Sequence, residues 1–192
     1  MRFSIIIFLI TLCGSALAQS APEQGATEIQ VWTAGGHSVP GGRVRTGIWE
    51  AGLRYGWVLT DIHGAGLLKG RFEYAVDAVP LCLIFQPANT AYGVGLNPLN
   101  LKWNFAPHGR LSPYTELSGG TLFTTHSVPP RTSSVNFTPS AAFGMHFLGE
   151  GRAWTLEARY LHISNAGLDR FNPGINTFEV RVGVGKFRKS QR

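Results

Sequence analysis

The stretch Trp49-Glu50-Ala51-Gly52-Leu53-Arg54-Tyr55-Gly56-Trp57-Val58-Leu59 alternates without a break. Its odd positions hold Trp, Ala, Leu, Tyr, Trp and Leu; its even positions hold Glu, Gly, Arg, Gly and Val. A period of two places these sets on opposite faces of a β-strand, one apolar and aromatic, the other polar or small. The stretch is long enough to cross a bilayer as a tilted strand, which takes about 9–11 residues.

The pattern recurs along the chain. Leu68, Phe72, Tyr74, Val76 and Ala78 face away from Lys69, Arg71, Glu73 and Asp77. Leu99, Leu101, Trp103 and Phe105 alternate with Asn100, Lys102 and Asn104. Trp154, Leu156, Ala158 and Tyr160 alternate with Thr155, Glu157 and Arg159, and Phe178, Val180, Val182 and Val184 with Glu179, Arg181, Gly183 and Gly185. The expectation is eight strands, at 27–34, 47–60, 67–79, 92–105, 111–124, 136–148, 153–165 and 174–187. Connections at 61–66, 106–110 and 149–152 read as short turns, those at 35–46, 80–91 and 125–135 as longer loops. Short turns at one end and longer loops at the other fit an outer-membrane barrel.

Composition agrees. Charged residues are 15% of the chain, against about 25% in soluble domains, while 44% of residues are apolar. Gly accounts for 24 of 192 residues, more than the usual ~7%. Such a balance argues against a helical bundle and against disorder. No stretch beyond the leader reaches about eighteen consecutive apolar residues, so a membrane-crossing helix is not expected.

The leader is legible. Met1-Arg2 is followed by an apolar run from Phe3 to Leu12, and Ala16-Leu17-Ala18 forms an A-x-A cleavage site. Residues 1–18 are expected to be a cleaved signal peptide, and 19–192 a single barrel domain. Cys13 lies inside the leader and leaves Cys82 alone in the mature chain, which excludes an internal disulfide. The formal charge of +6 suits an anionic surface, and export argues against nucleic acid.

Parity alone does not say which face is inside. A soluble lipocalin-like barrel would turn its apolar face inward. The membrane arrangement is preferred because each charged face mixes acids and bases, as a closed polar lumen requires. The apolar face also carries Trp and Tyr near strand ends. With eight strands and a periplasmic N-terminus, the connection between strands seven and eight lies on the outer side. Strand seven then ends, at His162-Ile163-Ser164-Asn165, in the outer leaflet.

His162 and Ser164 share a face with Trp154, Leu156, Ala158 and Tyr160, the lipid side. Polar groups there are expensive unless used. Across the hairpin Asn176 shares the parity of Phe178 and Val180, and if Ser164 pairs near Gly174, His162 pairs near Asn176. A Ser hydroxyl needs a neighbouring imidazole to take its proton, and a third group to orient that imidazole. His-x-Ser is a weak motif, and spacing alone favours two polar residues resting in the headgroup zone over catalysis.

His162-Ile163-Ser164-Asn165-Ala166-Gly167-Leu168, followed by Asn172-Pro173-Gly174-Ile175-Asn176, resembles the signature of the lipid A 3-O-deacylase family, the PagL-type outer-membrane esterases. Tyr92 to Pro98, Lys102 to Phe105, Pro113 to Leu117 and Gly119-Gly120 resemble the same family. The resemblance implies an eight-stranded antiparallel transmembrane β-barrel that hydrolyses an ester-linked acyl chain of lipid A in the outer leaflet of the cell outer membrane. It implies Ser164 as nucleophile and His162 as general base. Asn165, by its side-chain amide, and Gly167, by its backbone N–H, would bind the oxyanion. The family's third member is a Glu twelve residues after the Ser, and here that position is Asn176. Asp169, in the connecting loop, is a candidate surrogate acid; Glu179 is a poorer one because its parity turns it inward with Arg181.

The implied partners are lipopolysaccharide and outer-membrane lipid, with a homodimer left open. No cofactor and no metal are expected. His37, His63, His108 and His126 fall in expected loops or turns, and His146 in strand six lacks acidic or Cys neighbours at metal-ligand spacing. Arg131 and Arg170 are expected on outer loops, where they could meet lipid A phosphates or simply be solvated. The alternatives to an esterase are a structural or adhesion barrel that has lost the triad acid, and the lipocalin-like carrier.

Overall fold

The computed structural model describes residues 20–189; the expected signal peptide lies outside them. The chain forms strands β1 (Ala26–Val39), β2 (Gly47–Val58), β3 (Gly70–Phe85), β4 (Thr90–Phe105), β5 (Leu111–Thr124), β6 (Val135–Phe137), β7 (Ser140–Leu148), β8 (Ala153–Ile163) and β9 (Ile175–Lys189). All neighbouring pairings are antiparallel, and β1 pairs both β2 and β9, which closes the sheet. Because β6 and β7 together fill one place in the wall beside β5, the barrel has eight wall positions. Closure leaves no unpaired edge.

The faces divide as the alternation requires. Val31, Leu53, Leu101, Leu117, Phe143, Trp154, Leu156, Phe178 and Val180 point outward and are exposed. The lumen is filled rather than open. Arg54 Nε and Nη2 donate to Asp77 at 2.7 and 2.9 Å, and Arg54 Nη1 and Nη2 donate to Glu116 at 2.6 and 2.8 Å. Arg159 binds Glu157 at 2.9 Å, Arg181 binds Asp77 at 3.2 Å, and Lys102 bridges Glu28 and Glu73. An interior of paired charges beneath an apolar exterior is the inverse of a soluble barrel, so the lipocalin-like arrangement does not hold.

Several boundaries differ from those expected. β1 continues to Val39, carrying His37 into the wall rather than a loop. β3 runs on to Phe85, which cuts the second long loop from 80–91 to residues 86–89. It can do so because the register shifts between Val79 and Cys82, a bulge where Pro80 needs no ladder hydrogen bond. Residues 67–69 do not belong to β3; Gly66–Leu68 forms a 3-10 turn. The connection 59–69 is therefore longer than the hairpin at 86–89, and the expected alternation of short turns and long loops is only partly kept. The sixth expected strand is interrupted at Thr138 and Pro139.

The start of β1 at Ala26 and the end of β9 at Lys189 meet at one end of the barrel, where they pair. The connections 40–46, 86–89, 125–134 and 164–174 lie at the other, here called the loop end.

Candidate active site

The last rungs of the β8–β9 ladder pair His162 with Asn176 and Ile163 with Ile175. Ile163 and Ile175 are fully buried in an apolar cluster that plugs the loop end of the lumen, with Trp32, Ile84 and Leu161. This packing fixes parity, so His162 must turn outward beside Tyr160. His162 Nδ1 lies 2.6 Å from Asn176 Oδ1. An amide oxygen only accepts, so in this orientation Nδ1 carries the hydrogen and Nε2 keeps a free lone pair.

Ser164 follows, with 9% of its surface exposed. It is held from the other side: its N–H donates to Phe137 O at 3.1 Å, and Phe137 N–H donates to Ser164 O at 2.7 Å. His162 N–H donates to Pro139 O at 3.0 Å. The break at Thr138-Pro139 thus leaves β6 free to grip the residue beyond the end of β8. Ser164 pairs with Phe137, whose side chain is exposed. Among the described residues no hydrogen bond joins Ser164 Oγ to the imidazole, a looseness common in sites without substrate.

Asn165 is fully buried and organises the loop. Its Oδ1 accepts from Gly167 N–H at 2.9 Å, its Nδ2 donates to Phe171 O at 3.2 Å, and its own N–H donates to Asn172 Oδ1 at 3.1 Å. Leu168 N–H donates to Asn165 O at 3.0 Å, with φ of 51° at Ala166 and 87° at Gly167. Positive φ at both central residues makes this a type I′ turn, with Ala where Gly or Asn is preferred. The two expected oxyanion donors are therefore adjacent to Ser164 but engaged with one another and with Phe171.

Asp169 is not brought to His162. It is exposed, and its Oδ1 accepts from Phe171 N–H at 3.4 Å. Glu179 is buried in the lumen, where Thr177 Oγ1 donates to it at 2.7 Å. Among the described residues the imidazole is held by Asn176 alone.

Three participants were given no role of their own from sequence, although Asn172 and Gly174 stand in the quoted signature. Asn172 tethers Asn165. Gly174, at φ 63°, leaves room for the imidazole, since a Cβ there would lie 2.8 Å from His162 Cε1. Gly41, at φ 107°, lets the first loop lie against Asn176, since a Cβ would be 2.8 Å from its Nδ2. Gly41 and Gly42 read as ordinary loop glycines because no sequence pattern shows that two distant loops touch. Among the remaining His residues, His146 is buried in the lumen, stacked on Tyr114 at 4.6 Å with Nδ1 2.9 Å from Thr155 Oγ1. Among the described residues no group of three or more His, Cys, Asp or Glu side chains is placed to hold a metal ion.

A closed barrel, apolar outside and charged within, defines a small outer-membrane-type barrel, here with a His–Asn pair at the loop end of its wall. The family model described as lipid A 3-O-deacylase (PagL) matches residues 41–185, and the chain belongs to that family. Among solved structures it is similar to the crystal structure of the outer membrane enzyme PagL, at 21% identity over 80% of this chain and 97% of that one, with a TM-score of 0.64. It is also similar to the outer membrane protein OprG from Pseudomonas aeruginosa, at 10% identity over 88% and 98%, TM-score 0.53. Neisserial surface protein A matches at 12% identity over 84% and 95%, TM-score 0.50. No curated protein matches. Family and fold together place the chain in the outer membrane as a lipid A deacylase-type barrel.

Proposed function

We propose that the protein removes an ester-linked acyl chain from lipid A by a Ser-His mechanism, with Ser164 as nucleophile, His162 as general base and Asn176 as the group that orients it. The observation that carries this reading is the 2.6 Å contact between His162 Nδ1 and Asn176 Oδ1, made on the outward face beside Ser164. It leaves Nε2 as the basic nitrogen on the side where an ester in the outer leaflet would arrive.

Ser164 Oγ attacks the ester carbonyl carbon while His162 Nε2 takes its proton. The tetrahedral intermediate collapses with cleavage of the C–O bond, and the sugar oxygen leaves with the proton from Nε2. Water, deprotonated by the same nitrogen, then attacks the acyl-serine; the acyl C–Oγ bond breaks, Ser164 Oγ takes the proton back from Nε2, and a fatty acid is released. The oxyanion is met by Gly167 N–H and Asn165 Nδ2, for which the substrate oxygen displaces Asn165 Oδ1 and Phe171 O. Outward residues along β7 to β9 (Ala141, Phe143, Ala158, Tyr160 and Phe178) give the acyl chain an apolar surface in the bilayer. The loop end faces the cell exterior in this reading.

Mass spectrometry of lipid A from cells expressing the protein tests it. Loss of one ester-linked chain is expected, with Ser164→Ala assembling as a heat-modifiable barrel but deacylating nothing. Full activity in Ser164→Ala overturns the assignment, and no deacylation by the natural chain favours a non-catalytic barrel.

A further inference from the structure

We infer that Arg43 forms a recognition site for a lipid phosphate group beside the catalytic residues, an inference that takes its ligand class from the proposed function. The first loop is seated against the last. Arg43 N–H donates to Gly174 O at 2.8 Å, two residues before Asn176. Gly41 and Gly42 make that approach possible: a Cβ on Gly42 would lie 2.9 Å from Gly174 O, and one on Gly41 would lie 2.8 Å from Asn176 Nδ2. The Arg43 guanidinium rests over the Phe171 ring at 5.6 Å, and Phe171 is the residue whose carbonyl holds Asn165.

This cation is exposed, and among the described residues no carboxylate lies within salt-bridge distance of it. The cations of the lumen are a contrast. Arg54, Lys102, Arg159 and Arg181 are all matched by lumen carboxylates. The loop-end connections carry Arg43, Arg45, Arg131 and Arg170 against one acid, Asp169. A guanidinium offers a planar fork that matches phosphate oxygens in a bidentate way, and stacking on an aromatic ring pre-orients it. At the bilayer surface the anion within reach of this fork is the phosphate of the glycolipid whose ester enters at Ser164. Arg43 thereby sets which lipids are taken: those with a phosphate within one loop's reach of the scissile ester.

The test measures binding of lipid A already lacking its 3-O-acyl chain to the detergent-solubilised barrel, with the phosphates present or removed, so that no turnover is needed. The phosphorylated form is expected to bind about tenfold more tightly, the size of one charge-assisted bidentate contact. Arg43→Gln should remove this gap by weakening only the phosphorylated ligand, and Arg43→Lys should restore part of it. Equal binding of both lipids by the natural protein overturns the inference. So does a gap that survives in Arg43→Gln, or an equal loss for both lipids, which would make Arg43 a mere loop support. Deacylation assayed in parallel reports on the esterase reading separately, because binding of a product does not depend on it.

Discussion

At the scale of single residues, what separates this site from one built on a carboxylate is a matter of one proton and one charge. Asn176 orients His162 as a carboxylate would, but an amide has two ends. With Oδ1 toward Nδ1 the imidazole is the tautomer that can act as base; with Nδ2 toward Nδ1 the hydrogen moves to Nε2 and the base is lost. A carboxylate presents only acceptors and stabilises the imidazolium that forms, and in Ser triads the acid-to-amide change costs ~10⁴ in rate. Because Asn176 already reaches Nδ1 at 2.6 Å, the isosteric Asp fits without repacking. Asn176→Asp should therefore raise lipid A deacylation by ~10²–10⁴, and Asn176→Glu, which must place one more methylene beside Gly41, by less. Mass-spectrometric rates in outer membranes check this; no gain from Asn176→Asp would mean that the amide suffices. Ala166, at φ 51°, bears a separate strain. Replacing it by Gly should stabilise the loop by roughly 1 kcal/mol, read as slower proteolysis within residues 164–174. Sequence parity placed His162, Ser164 and Asn176 on one outward patch, and the resemblance supplied their roles. It did not reveal that Asn165 is spent on Gly167 and Phe171, because such contacts depend on the path of a loop rather than on a period.

At the scale of elements, the strands were legible where alternation was unbroken and illegible where it was interrupted for a reason. Gly35-Gly36 looks like the start of a loop, yet β1 continues through it. A Cβ on Gly36 would collide with Phe178 O, so this glycine serves close approach rather than a turn. Pro80-Leu81 looks like a strand end, but both residues face outward across a bulge that resets the parity of β3. The same logic governs the hairpin of the proposed site. Gly174 combines a φ of 63° with no room for a Cβ beside His162 Cε1. Gly174→Ala should thus push the imidazole from Asn176 and cut deacylation at least ~10-fold while the barrel assembles, since displacement of a catalytic group by about 1 Å can cost ~10²-fold. Unchanged rates in a correctly assembled Gly174→Ala barrel would show that the imidazole moves freely without penalty.

At the scale of the whole molecule, the filled lumen and the apolar exterior make a rigid wall on which an external site can be held. Arg54 ties Asp77 on β3 to Glu116 on β5, all of them buried. Arg54→Ala would leave two carboxylates without their main partner. Removing one side of such a buried set typically costs ~3–5 kcal/mol, so the heat-induced mobility shift of the barrel should occur at markedly lower temperature. An unchanged transition would mean that Arg159 and Arg181 absorb both charges. Topology then decides whether the site meets its substrate. With eight wall positions, both ends of the barrel chain lie together, and an N-terminus on the periplasmic side obliges the 164–174 connection to face the exterior. In that orientation the connections that carry Arg43, Arg45, Arg131 and Arg170 meet the leaflet where lipid A resides. A tag inserted after Asn172 should be labelled by an impermeant reagent on intact cells, whereas one at Gly151, at the opposite end, should be labelled only after permeabilisation. The reverse pattern would put Ser164 and Arg43 in the periplasmic leaflet, away from lipid A, and the deacylase reading would fail with the orientation.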